Sequence, residues 1–254
     1  MSINLLKGFE FRKKETPVHS LDPRTKLAVT IMYTIMSLAF SRPMPLVFFM
    51  LTLLPYMIVG KITRRWLASM KGLWLILSFI LVLNTLLTSL DFAISMSLRV
   101  LLLVSAFTVF FMTVHPDDLA LALLAMKVPF SFTFTLTLAT RFMPTLAREA
   151  QSIMDAQRSR GLELESGGII KRVKNMVPII IPLIIQSIKR AFSVAEALES
   201  KAFGASKHRT NYFEISMRKR DWFVLLFTLL FVISFIVLYH LPLLPPVFYF
   251  RIPY

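Results

Sequence analysis

Five apolar runs, separated by clusters of lysine and arginine, set the terms for everything else in this sequence. They cover residues 27–40, 46–59, 73–90, 92–114 and 222–239. A hydrocarbon core about 30 Å thick needs about 20 apolar residues in helical form to cross it. A backbone in that medium must satisfy its own hydrogen bonds, which leaves helices. The first two runs are short for a crossing, and their flanks supply the missing residues. With 56% hydrophobic residues the chain is too apolar for an ordinary soluble domain and for a disordered one. The sequence therefore predicts an all-α polytopic membrane protein with about five transmembrane helices. The polar first 24 residues precede the first run and no small-residue cleavage site follows it, so a cleaved signal peptide is not expected.

The net charge of +15 raises the question of nucleic acid, but the cations flank apolar runs instead of covering a compact basic domain. Membrane orientation accounts for them better. If the N-terminus is cytoplasmic and five spans follow, 26 of the 29 Lys and Arg fall on the inner side, with Arg42, Arg99 and Arg251 left outside or near the outer ends. Lys61, Arg64, Arg65 and Lys71 then form a basic connection, with Trp66 and Trp74 as interface anchors. The expected location is the cell membrane, multi-pass, N-terminus inside. The chain divides into 1–114, a cytoplasmic segment and four spans; 115–220, cytoplasmic or membrane-proximal helices; and 221–254, the last span and an apolar, proline-rich tail.

The middle region carries the polar character. Residues 115–127 read as a short amphipathic helix, with Pro116, Asp117 and Asp118 in a first turn that favours acidic groups. In 128–140 Phe and Leu alternate with Ser and Thr, a strand pattern. Unpaired strand edges are untenable in lipid, so a helix is predicted, dipping toward the membrane without crossing it. A long amphipathic helix follows, with Phe142, Leu146, Ala150, Ile153 and Gln157 on one face and a possible Asp155–Arg158 pair on the other. A second, opened by Pro178 and Pro182, carries the stripe Ile184, Ile188, Ala191, Ala195, Leu198 and Ala202. The two stripes are packing faces for each other and for a partner in the membrane. The first helix ends on Ser159-Arg160-Gly161 and the second on Ser200-Lys201-Ala202, with Gly204 just beyond. Each end thus holds a cation among small residues, like one of a pair of plugs.

No catalytic constellation accompanies these features. With no cysteine, disulfides, thiolate zinc sites and iron–sulfur clusters are excluded, and the four histidines are scattered without metal-ligand spacing. None of the seven glycines belongs to a phosphate-cradling G-x-x-x-x-G-K-[ST] loop. No predicted span has an acidic residue at mid-depth to carry protons or sodium. No catalytic residue, metal site or cofactor is assigned.

Several motifs stand in a telling order: Leu21-Asp22-Pro23-Arg24-Thr25-Lys26, then Pro116-Asp117-Asp118-Leu119, then Arg141-Phe142-Met143-Pro144. Glu149-Ala150-Gln151 leads to Ala156-Gln157-Arg158-Ser159-Arg160-Gly161, and 195–204 (AEALESKAFG) is followed by Arg209-Thr210-x-Tyr212. In this order and over nearly the whole chain, the sequence resembles the transmembrane coupling subunit of energy-coupling factor (ECF) transporters, the EcfT/CbiQ family.

That resemblance implies a non-catalytic subunit that passes ATP-driven motion from two cytoplasmic ABC-type ATPases to a small membrane S-component, which takes up a vitamin or a metal ion. The family has two Ala-Arg-Gly-like motifs at the ends of crossed cytoplasmic coupling helices, each docking on one ATPase. Ser159, Arg160 and Gly161 match the first, with Ser for the leading Ala. Ser200, Lys201 and Ala202 match the second less well: lysine keeps the charge but loses the forked donor set, so Arg160 is expected to matter more. Asp22, Pro23, Arg24, Lys26, Arg141, Pro144 and Glu149 lie in the other matching motifs and are expected to serve structure or an interface. A conventional ABC importer permease, with one coupling loop, and a membrane enzyme with a basic cytoplasmic face are the competing readings.

Overall fold

A computed structural model describes residues 16–163, 166, 168–205, 215–241 and 245–249. Their regular structure is helical throughout, as expected of a polytopic all-α membrane protein: α1 (Pro23–Ala39), α2 (Pro43–Val59), α3 (Thr63–Leu87), α4 (Leu90–Thr113), α5 (Pro116–Ala125), α6 (Phe130–Ser159), α7 (Ile169–Ser200) and α8 (Lys219–His240), with a 3-10 turn at Pro246–Tyr249. Arg209-Thr210-x-Tyr212 and most of the 242–254 tail lie outside the described residues. Two compact units result, one holding α1–α5 and α8, the other α6 and α7.

In the first unit α4 packs against α1, α2 and α3. Lipid is as apolar as leucine, so helices in it associate through close van der Waals fit and small interface residues. Helix α4 supplies these: Ala93, Ser105 and Ala106 are buried, alongside Leu102 and Val109. Met36, Leu46, Phe49, Leu53 and Met57 fill the space between α1, α2 and α4. Phe235 of α8 meets Phe49 at 4.8 Å and Phe40 at 5.4 Å between ring centroids, both edge-on, an arrangement favoured by the ring quadrupoles.

Arg99, which the sequence placed near an outer end, reaches from α4 to the last turn of α1. Its Nε donates to Ser37 O (3.0 Å) and its Nη2 to Phe40 O (3.1 Å). The guanidinium thereby satisfies carbonyls that have no partner within α1.

Helix boundaries depart from the sequence reading in three places. Helix α7 begins at Ile169, so Pro178 and Pro182, expected to open it, lie inside it. The basic connection is shorter than expected, because Arg64, Arg65 and Lys71 fall within α3. Trp66 turns inward, its Nε1 donating to Ser105 Oγ at 2.9 Å, while Trp74 is 75% exposed. The Phe/Thr alternation of 128–140 is helical and continuous with the following segment, making α6 one helix of 30 residues. Its hydroxyls bond back to their own helix, Thr135 to Ser131 O (2.8 Å) and Thr137 to Thr133 O (3.0 Å), which removes the polar cost of the alternation.

Among the described helices α3, α4, α7 and α8 are long and apolar enough to cross a membrane, and α2 is apolar but has 17 residues.

Candidate coupling site

Helices α6 and α7 pack as an antiparallel hairpin. Gln157 of α6 meets Pro178 of α7, Glu149 meets Arg190, and Phe134 meets Phe203 just past the end of α7. The residue numbers rise along α7 as they fall along α6, which is the signature of antiparallel packing. From Phe134 to Gln157 these contacts span about 35 Å at 1.5 Å per residue. The two cationic tips therefore sit at opposite ends of one hairpin.

Each contact has a chemical cause. Pro182 has no N–H, so Pro178 O, four residues back in α7, has no helical donor. Gln157 Nε2 donates to that carbonyl from the neighbouring helix at 3.3 Å. Midway along, Arg190 Nη2 donates to Glu149 Oε1, and Arg190 Cζ lies 5.9 Å from the centroid of the Phe142 ring. Both charged side chains are about three-quarters buried, at 26% and 25% exposure, where screening by water is weaker. Near the start of α6, Phe134 stacks on Phe203 at 4.8 Å.

The two tips share one backbone design. At the first, Arg160 caps α6, Gly161 N–H donates to Arg158 O (2.9 Å) and Leu162 N–H to Gln157 O (3.0 Å). At the second, Lys201 caps α7, Ala202 N–H donates to Glu199 O (2.8 Å) and Phe203 N–H to Leu198 O (2.9 Å). Both are Schellman ends, which require a left-handed residue after the cap. Gly161 adopts φ +86° at no steric cost, whereas Ala202 adopts φ +55° with a Cβ present. Ser159, Arg160, Gly161, Ser200, Lys201 and Ala202 are all exposed. Asp155 and Arg158 lie 3.9 Å apart, the i,i+3 pair expected from spacing.

The faces of α7 differ from the sequence pattern. The side turned toward α6 is marked by Ile179, Leu183, Ser187, Arg190, Val194 and Leu198, all buried or half-buried. Ile184 and Ile188 of the predicted stripe are 52% and 51% exposed. Arg141 is exposed on α6, and Pro144 lies inside that helix without ending it.

With this geometry in place, the comparisons with known proteins are decisive. The model of the CbiQ family, described as cobalt transport protein, matches residues 14–212. The energy-coupling factor transporter transmembrane protein EcfT of Acidaminococcus fermentans is 30% identical over 233 residues, 80% of this chain and 85% of the relative. Its counterpart in Leuconostoc gelidum is 31% identical over 254 residues, 87% and 92% of the two chains. That of Streptococcus thermophilus is 31% identical over 230 residues, 80% and 87%. The chain belongs to the EcfT/CbiQ family. It is a membrane protein and a transmembrane component of the energy-coupling factor transporter type.

The N-terminal motif of this EcfT/CbiQ member is built into the first unit. Asp22 caps α1, its Oδ1 accepting from Arg24 N–H at 2.8 Å, and Pro23 follows as the first helical residue. The backbone N–H of Asp22 donates to Asp221 Oδ1 (2.8 Å), whose other oxygen accepts from Arg218 N–H (2.8 Å) at the start of α8. Arg24 Nη2 reaches Ile215 O at 3.3 Å. Lys26 is 3% exposed, and its Nζ donates to His19 O (2.8 Å) and Thr113 O (3.1 Å). Burial disfavours the charge on Lys26, and the negative field of Asp118, Asp221 and Asp22 offsets part of that cost.

Sequence reasoning had not singled out Asp221 or Arg190, and it placed Gln157 on the packing face of its helix without naming the Pro178 carbonyl as its partner. For Asp221 a local signal existed, an acidic residue in the first turn of a helix that follows a basic run.

Proposed function

We propose that this chain couples a pair of cytoplasmic ABC-type ATPases to a small substrate-binding S-component, and itself catalyses nothing. Arg160 and Lys201 enter one groove each, flanked by Ser159 and Gly161 at the first tip and by Ser200 and Ala202 at the second. The single observation that supports this most is the pair of like-built, exposed cationic ends on one hairpin. Two sites some tens of Å apart suit two ATPase subunits better than one coupling loop would. ATP closure must change the tip–groove free energy, since a ligand with equal affinity for both states moves nothing. The exposed isoleucine face of α7 then offers the S-component an apolar contact.

On this reading residues 115–220 are the coupling module, lying on the cytoplasmic side of the cell membrane between the spans of 1–114 and 221–254. The N-terminus is cytoplasmic, and the cargo is a vitamin or a metal ion. The test is Arg160→Glu in the complex expressed with its ATPases. Insertion should be intact while ATPase co-purification or uptake is lost, and the same change at Lys201 should have the smaller effect. Unchanged uptake in both variants refutes the reading.

A further inference from the structure

Within the first unit a groove of about 800 Å³ opens between α1, α2 and α8, and the coupling role makes no use of it. Val29, Leu53, Tyr56, Val59, Phe223 and Phe227 form its apolar wall. Three of its four hydroxyls donate within the protein: Tyr33 Oη to Thr52 Oγ1 (3.1 Å), Thr52 Oγ1 to Phe49 O (2.8 Å) and Thr228 Oγ1 to Val224 O (2.7 Å). The groove therefore suits hydrocarbon and offers little to a polar ligand.

Charge enters at one end. Lys219 and Arg220, both exposed, line the groove in the first turn of α8, and Asp221 beside them is buried with both oxygens engaged. On α8 the lining runs from Lys219 to Thr228, about 13 Å along the axis. That is close to half of a hydrocarbon core about 30 Å thick. On α2 it runs from Thr52 to Val59, beside Gly60 and Lys61.

We propose that the groove holds an acyl chain of an anionic phospholipid, with the headgroup phosphate against Lys219 and Arg220. The depth matches one leaflet, and two cations at headgroup level select net negative charge over a zwitterionic head that brings its own ammonium. This site involves the first unit alone and does not rest on the coupling function.

The experiment uses the full chain in mild detergent, offered phosphatidylglycerol or phosphatidylcholine with the same acyl chains and read by native mass spectrometry. Phosphatidylglycerol should be retained about tenfold better, an advantage on the scale of two partly screened cations. The double variant Lys219→Gln, Arg220→Gln should abolish the preference while a basal acyl adduct persists. Val224→Trp, which fills the groove, should remove both adducts; a thermal melt checks that each variant is folded. Millimolar inorganic phosphate should not displace the lipid. Equal retention of the two lipids overturns the proposal, as does a preference that survives the double variant or displacement by phosphate alone. So does a photo-crosslinker at Val59 that captures a segment of this chain or another protein instead of lipid.

Discussion

Arg190 of α7 donates a hydrogen bond to Glu149 of α6 across 41 residues of sequence, at the middle of the hairpin and beside the Phe142 ring. Removing either partner leaves a partly buried charge alone, so Glu149→Ala and Arg190→Ala should each destabilise the α6–α7 pair by about 1–3 kcal/mol. The exchange Glu149→Arg with Arg190→Glu should recover part of that loss. A double-mutant cycle read by thermal unfolding in detergent tests this; additive single losses would show the contact to be idle.

Ala202 sits where its counterpart at the other tip is glycine. Ala202→Gly should stabilise that helix end by about 1 kcal/mol, and Gly161→Ala should destabilise the first by a similar amount. Hydrogen exchange of the Phe203 and Leu162 amides is the direct readout, with slower exchange expected at Phe203 in the glycine variant.

Gln157→Leu should cost about 1–3 kcal/mol by leaving Pro178 O without a donor. Pro182→Ala restores the helical N–H that this carbonyl lacks. In that background the Gln157→Leu penalty should shrink to a few tenths of a kcal/mol, as measured by melting of the four proteins of the cycle.

Asp221→Ala removes the acceptor for two backbone N–H groups and part of the field around Lys26. A loss of about 2–4 kcal/mol is expected, seen as a lower melting temperature in detergent. Asp221→Asn, which keeps one carbonyl oxygen, should lose less.

Much of this was legible in advance because its causes are local. The i,i+3 pair Asp155–Arg158 and the helix end at Gly161 each depend on a few neighbouring residues. The first-turn position of Asp221 was readable but its partner Asp22 was not, lying 199 residues away, and Arg190 was missed because its partner lies on another helix. The face of α7 was misread for a related reason. Isoleucines occur nearly all round residues 179–188, so composition could not say which of them would meet α6. The helix expected over 128–140 and the long helix after it are one, because serine and threonine return their hydroxyls to the backbone and Pro144 is carried within the helix.

A hairpin with one cationic end at each extreme has a mechanical corollary for the proposed docking. Held at a single tip, it could still swivel about that attachment; held at both, it has a defined bearing. Once Arg160 is seated, Lys201 meets its own groove as an intramolecular partner at high effective concentration. Under that proposal a weak second contact suffices, so the lysine–alanine end need not match the arginine–glycine end.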